Sequence, residues 1–305
     1  AFARHPADLL ILETGLGGLF DSTNIIDETA CSVITPIAFD HEQFLGRDIT
    51  TIARQKAGIM RAGKPSVWAE QNPLARAELR RCAEPLRVEV YEQSTDFHLT
   101  RTEAGGLVLH AGRQQISMPP LSLYGAHQTQ NAALALMALK ASRLVPDINK
   151  AATGTSTAVW PARVQRLPEG ALTRRAGRPV WLDGAHNVHG AEALKASLGE
   201  LDQRKWTVIF GALTTRPADE FLSVIKPVAD HVHCVTIPDQ PAALTADELA
   251  SLANKVGLKA TTAPSLEAAC TAIANQEDNV DRPVIICGSL YLAGEVLRVN
   301  NTLPD

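Results

Sequence analysis

Apolar residues along this chain follow two rhythms. Some form short unbroken blocks, which suit a strand buried on both faces. Others recur every third or fourth position, which suits a helix with one buried side. The block Leu9-Leu10-Ile11-Leu12, closed by Glu13-Thr14-Gly15, predicts a buried parallel strand over 8–12. Residues 32–37 predict a second strand, with Pro36 at its end because proline has no N–H to give a ladder. Strands at 65–69 and 88–91 alternate with helices at 49–60 and 74–83. From 97 to 118 the pattern becomes antiparallel hairpin material, turning at Glu103-Ala104-Gly105-Gly106. A helix rich in Ala and Leu follows over 127–141.

The small, polar stretch 151–158, followed by Trp160-Pro161, predicts a domain boundary, with domains 1–158 and 159–305. Beyond it the alternation resumes: strands at 179–182, 206–210, 232–237 and 283–287, and helices at 190–201, 218–229, 245–256 and 265–274. That series predicts an α/β fold whose second domain is built on a mostly parallel sheet.

Composition changes this picture little. Apolar residues make up 45% and charged residues 20%, enough to bury a core without disulfides or a structural metal. The net charge of −4 gives no basic surface for nucleic acid or an acidic membrane, and no apolar run is long enough to span a bilayer. The five cysteines are scattered and never spaced CxxC, which points to free thiols in a reducing cytoplasm.

Candidate chemistry gathers at predicted strand ends, where open α/β sheets hold ligands. Glu13-Thr14-Gly15-Leu16-Gly17-Gly18 puts a carboxylate beside glycines that let a ligand approach the backbone, a pattern equally suited to a Mg²⁺–nucleotide site or to a plain turn. Asp21-Ser22-Thr23-Asn24 reads first as an Asx-turn or helix cap. Asp40-His41 is a possible ligand pair, although imidazole is not favoured by Mg²⁺, and Lys56 reads as a solvated helix lysine. In the second half, Asp183-Gly184-Ala185-His186-Asn187 follows a strand, with Asn187 equally readable as a cap. Arg163 at the boundary could clamp phosphate.

Taken in order, these segments resemble one family. Residues 13–24 are similar to a EVGLGGRLDATN block, and Asp40-His41, Leu45-Gly46 and 53–59 to a DH…LG…REKAGI block. Gly125-Ala126-His127-Gln128 with Asn131-Ala132 resembles GxHQxxNA, and Pro161-Ala162-Arg163 resembles PGR. Asp183 to Asn187 matches DGAHN, and Gly288-Ser289-Leu290-Tyr291-Leu292 with Gly294-Glu295 matches GSLYLxGE. The family is folylpolyglutamate synthase/dihydrofolate synthase, within the Mur-ligase-like group.

The resemblance implies an incomplete Mur-ligase-like central ATPase domain followed by a Rossmann-like C-terminal domain. It also implies an ATP-dependent ligase that joins glutamate to dihydropteroate or a folate through an acyl phosphate. Its partners would be small molecules, its cofactor Mg²⁺ (two ions), its location cytoplasmic and its state monomeric. By the same resemblance Glu13 and His41 would bind metal, and Lys56 would be carbamylated and act in catalysis with His186. Phe20, Asp21 and Ser22 would line the pterin end of the substrate site, with Ser289 on the glutamate side. Asn131, Arg163 and Asp183 would contact ATP.

The chain departs from the pattern at Leu19, Ser22 and Ala162, and in the turn of residues 211–217, where Arg216 keeps a charge and Pro217 replaces an acid. No GTNGKGS-type phosphate loop occurs in the 305 residues, so the chain by itself is expected to be inactive. Two rival readings are another Mur-type amino-acid ligase and a non-catalytic folate-binding remnant.

Overall fold

The computed structural model describes residues 4–5, 7–39, 45–103, 105–276 and 282–304. Its contacts divide the chain into a first unit, Ala1–Pro120 with Gln130–Ser156, and a second, Leu121–Thr129 with Thr157–Asp305.

In the first unit, strands β1 (Ser32–Ile34), β2 (Pro65–Trp68) and β3 (Glu89–Glu92) lie parallel in that order. Helix α1 (Ile49–Ala57) is capped by Asp48 and helix α2 (Pro73–Ala83) by Asn72, whose side chains accept first-turn N–H groups. Their apolar faces, Ile52, Ala53, Ala75 and Leu79, pack with Ile34 and Trp68. Full burial of a side chain such as Ile52 or Leu79 contributes roughly 1.5–3 kcal/mol. Strands β4 (Phe97–Arg101), β5 (Leu107–Ala111) and β6 (Gln114–Met118) form the antiparallel sheet that the change of period predicts. Helices α3 (Ala126–Ser142) and α4 (Ile148–Thr153) follow.

In the second unit, β7 (Gln165–Arg166), β8 (Val180–Leu182), β9 (Trp206–Phe210), β10 (Ala229–Cys234), β11 (Lys259–Thr262) and β12 (Val284–Cys287) form one sheet in the order β11-β10-β9-β12-β8-β7. Among the described residues only the β7–β8 pairing of this sheet is antiparallel. Alternate residues of the central strands point into two separate cores. Trp206, Val208, Phe210, Ile285 and Cys287 meet α6 (Val188–Leu201), α7 (Ala218–Ile225) and α8 (Ala246–Lys255). Ile209, Val284 and Ile286 meet α5 (Ala171–Ala176), α9 (Leu266–Ala274) and α10 (Leu290–Asn300). Helices on both faces explain why these strands read as unbroken apolar blocks.

Three expectations are corrected. Residues 8–12 form no strand, and Leu9, Leu10, Ile11 and Leu12 are exposed, Ile11 to 85%. A parallel strand needs ladder partners and covered faces, and among the described residues β1 pairs only with β2. The strand over 32–37 stops at Ile34, because the Gln71 side chain takes over beyond it, donating to the Thr35 carbonyl and accepting from the Ile37 N–H. The helix over 218–229 ends at Ile225: Pro227 cannot donate to a helix and disfavours helical backbone before it, so Ala229 opens β10 instead. All five cysteines are free, with Cys234, Cys270 and Cys287 buried. Among the described residues no helix is long and apolar enough to cross a membrane.

Candidate functional site

The second unit brings its charged turns to the carboxyl ends of adjacent strands. Strand β8 ends at Leu182, and the Asp183 N–H extends the ladder by donating to the Ile286 carbonyl of β12 at 3.0 Å. The Asp183 carboxylate turns inward and is 7% exposed. One oxygen accepts the Ala185 N–H at 2.7 Å and the other the Val164 N–H at 2.8 Å. Burial pushes its carboxyl above the ordinary range, against the pull of those two N–H groups and the charge of Arg163.

That carboxylate fixes the backbone on either side of Arg163. Ala162 and Val164 both hold left-handed φ, +55° and +44°, a costly conformation for a β-branched valine. It persists because the Gly184 N–H holds the Ala162 carbonyl at 2.9 Å and Gln165 accepts the Ala162 N–H. Gly184 allows the approach: a Cβ there would lie 2.4 Å from Leu290 Cδ2 and 3.2 Å from Arg163 Nη1. Gly288, with φ +114°, donates to the Ala185 carbonyl and brings the end of β12 against Gly211 after β9.

Around these turns, Asn187 caps α6 and Ser289 caps α10, each side chain accepting an N–H of the first turn. Asn187 therefore takes the capping role open to it in the sequence. Two helix N-termini and Arg163 give this end a bias toward anions. His186 Nδ1 lies 2.9 Å from the Gly184 carbonyl, which can only accept, so Nδ1 carries a proton and donates to it. His127, on the first turn of α3, feels the charges of Asp183 and Arg163, and burial lowers its pKa.

In the first unit, the glycine-rich segment is a loop bound to the end of α1. The Leu19 N–H donates to the Gln55 carbonyl at 2.7 Å. A Cβ on Gly18 would sit 2.7 Å from that same oxygen. Asp21 accepts from the Leu16 N–H, the Thr23 N–H and the Thr23 hydroxyl, which hold its carboxyl down at about 2. The Asx-turn expected of Asp21 is thus observed. Asn24 donates to the Leu19 and Gly58 carbonyls, and Arg61 bonds Asn24 Oδ1 together with the carbonyls of Ile26, Gly58 and Met60.

Arg163, Asp183, His186 and Ser289 therefore share one end of the second unit's sheet. Phe20, Asp21 and Ser22 share the loop on α1, which also carries half-buried Lys56. Phe20 is 84% exposed, and Glu13 and Ser22 are also exposed. Asn131 lies on α3 in the first unit. His41 and Asp40 lie outside the described residues. Among the described residues no three His, Cys, Asp or Glu side chains cluster as a metal site. Glu13 still offers a hard oxygen donor of the kind Mg²⁺ takes, one carboxylate with the remaining ligands from water and phosphate. Sequence reasoning missed Arg61 and His127 as site residues. Arg61 carried no local signal, whereas His127 stood inside a quoted motif.

An open, mostly parallel sheet with helices on both faces and glycine turns at its central carboxyl ends defines the second unit as an α/β domain of the kind whose strand carboxyl ends face a crevice. The family described as "Dihydrofolate synthetase, C-terminal domain" matches residues 171–299. The folylpolyglutamate synthase of Lacticaseibacillus casei is 30% identical over 305 residues, covering 97% of this chain and 67% of that protein. A crystal structure of Mycobacterium tuberculosis folylpolyglutamate synthase with ADP and AMPPCP superposes with a TM-score of 0.87 at 30% identity, covering 100% of this chain and 71% of that one. A bifunctional folylpolyglutamate synthase/dihydrofolate synthase with Mn, AMPPNP and L-glutamate bound gives 0.76 at 28%, covering 93% and 65%. The chain belongs to the folylpolyglutamate synthase/dihydrofolate synthase family. It spans 54 to 67% of the length of the first curated relatives it matches.

Proposed function

We propose that the protein ligates L-glutamate to the carboxylate of dihydropteroate or a folate at the expense of ATP, with residues 159–305 as a Rossmann-like ligase domain and 1–158 as part of the ATPase domain. The carrying observation is the Asp183-Gly184-Ala185 turn, which fixes Arg163 between two strained residues beside two helix N-termini.

The acceptor carboxylate attacks the γ-phosphorus of ATP, giving an acyl phosphate and ADP. The glutamate amine then attacks the acyl carbon, and phosphate leaves as the amide forms. Arg163, held rigidly, would offset charge on a phosphate, because a preset cation costs no reorganisation as charge moves. His186, with Nδ1 held by the Gly184 carbonyl, would offer Nε2 to the proton that the glutamate ammonium sheds in becoming the attacking amine. Ser289 would stand on the glutamate side, and Asn131 and Asp183 with the nucleotide. Phe20 and the Asp21–Ser22 turn present an exposed aromatic edge suited to a pterin ring. Glu13 with His41 would hold Mg²⁺, whose chemistry there is to neutralise phosphate oxygens. Lys56, half-buried on α1 beside the glycine loop, would be the lysine that takes up CO₂ as a carbamate.

The test is incorporation of radiolabelled glutamate by the native protein with ATP, Mg²⁺ and dihydropteroate or tetrahydrofolate. Labelled product that falls at least tenfold in Arg163→Ala supports the reading. Absence of product with both acceptors, alongside ligation of an amino acid to a UDP-linked acid, would overturn it.

A further inference from the structure

The first unit has a cleft of about 470 Å³ at the carboxyl ends of β2 and β3. It is lined by Glu70, Arg76, Arg80, Glu92, Ser94 and Thr95, none of which the ligase reading uses. At its floor the Glu92 carboxylate, 5% exposed, is shared by two arginines from successive turns of α2. Arg76 Nε lies 3.0 Å from both carboxylate oxygens, and its Nη2 reaches one at 2.5 Å. Arg80 uses Nε at 3.1 Å and Nη2 at 2.8 Å. These bonds hold the Glu92 carboxyl below its usual range in spite of its burial.

A staple joining α2 to β3 would need no more than this. Yet each guanidinium also keeps an Nη1 amino group that bonds no acceptor among the described residues, and each side chain is half exposed, 50% and 49%. Arg80 is further fixed by lying over the Trp68 ring at 5.6 Å. Two arginines share one buried carboxylate at the floor, with Glu70 on the rim and Asp96 near Arg76, and the bonds to Glu92 preset the guanidinium donors.

The rim adds hydroxyls. Ser94 holds φ +68°, left-handed for a non-glycine residue, and its Oγ donates to Glu70 at 3.2 Å. Thr95 stands beside it with its N–H donating to the Glu92 carbonyl. Glu70 is the one carboxylate on the rim. It opposes dense polyanions and favours a ligand that presents a single oxyanion group.

We propose that this cleft binds the carboxylate or phosphate group of a small ligand through the Nη1 groups of Arg76 and Arg80. Planar guanidinium pairs suit such oxyanions because two N–H groups reach two oxygens at once.

The experiment is a titration of the isotope-labelled native protein with inorganic phosphate and, separately, with succinate, followed by NMR at the amides of Ser94 and Thr95 and the arginine Nε–H groups. Saturable shifts with a dissociation constant on the order of millimolar are expected with at least one probe, and the probe that binds identifies phosphate or carboxylate. Arg76→Lys and Arg80→Lys keep a cation against Glu92 but lose the free Nη1 groups, and each should weaken binding about tenfold while the protein stays folded. Shifts that never saturate, or that persist unchanged in both lysine variants, would overturn the proposal.

Discussion

Asp183→Asn is a nearly isosteric change with an unequal donor count. The carboxylate gives each of two backbone N–H groups, Val164 and Ala185, its own oxygen. Asparagine offers one oxygen and one NH₂, so one N–H must face another donor. A hydrogen bond to a charged acceptor contributes ~1.5–3 kcal/mol, and an orphaned buried donor costs ~1–3 kcal/mol. The variant also loses a charge whose burial is unfavourable, and this offsets part of that sum. The balance is a destabilisation of about 2–4 kcal/mol. It is localised to the second unit, because both N–H donors belong to it. Urea denaturation followed by tryptophan fluorescence would measure it, with Trp181 and Trp206 reporting on the second unit's sheet. A loss under ~1 kcal/mol with an unchanged slope would refute the donor-counting argument.

Arg61→Ala removes the clamp between Asn24, the glycine loop and the end of α1, so amide exchange at Leu19 and Asn24 should speed up at least tenfold; unchanged protection would show the loop stands without it. His233 is 2% exposed, and burial lowers its pKa to about 4, with His231 adding to the effect. The unfolded chain therefore takes up a proton near pH ~6.5 that the folded chain refuses until about 4, so stability is full above the first value and falls by up to about 3 kcal/mol toward the second. His233→Gln should flatten that part of a urea-derived stability profile, and an equally steep profile in the variant would assign the loss elsewhere. Gly288→Ala and Gly199→Ala should move stability in opposite directions. The first forces a side chain into φ +114° with its Cβ 2.5 Å from the Gly211 carbonyl, and should cost more than ~2 kcal/mol. The second fills open space in α6 and should gain ~0.5–1 kcal/mol, both read from thermal unfolding.

Periodicity and end signals were enough to predict an α/β chain with a change to antiparallel pairing over 97–118, because both depend on near neighbours in the sequence. The five predicted strands that pair as β2, β3, β8, β9 and β12 were visible for the same reason: each carries its own apolar block. The order of motifs likewise pointed to the family. The chain alone could not report residues whose state depends on distant partners. The block at 8–12 has strand composition, but without ladder partners among the described residues it stays exposed. Conversely, Lys259–Thr262 is too polar to read as a strand and becomes β11 only by pairing with β10. Pro227 was a local stop signal overridden in reading by the apolar run around it. Asp183 was recognisable as a strand-end carboxylate, but its task of holding Val164 spans nineteen positions of chain. Arg61 reaches back thirty-seven positions to Asn24. Only folding brings such donors and acceptors together, so tertiary structure decided which polar residues hold the loops and which are left to meet a ligand.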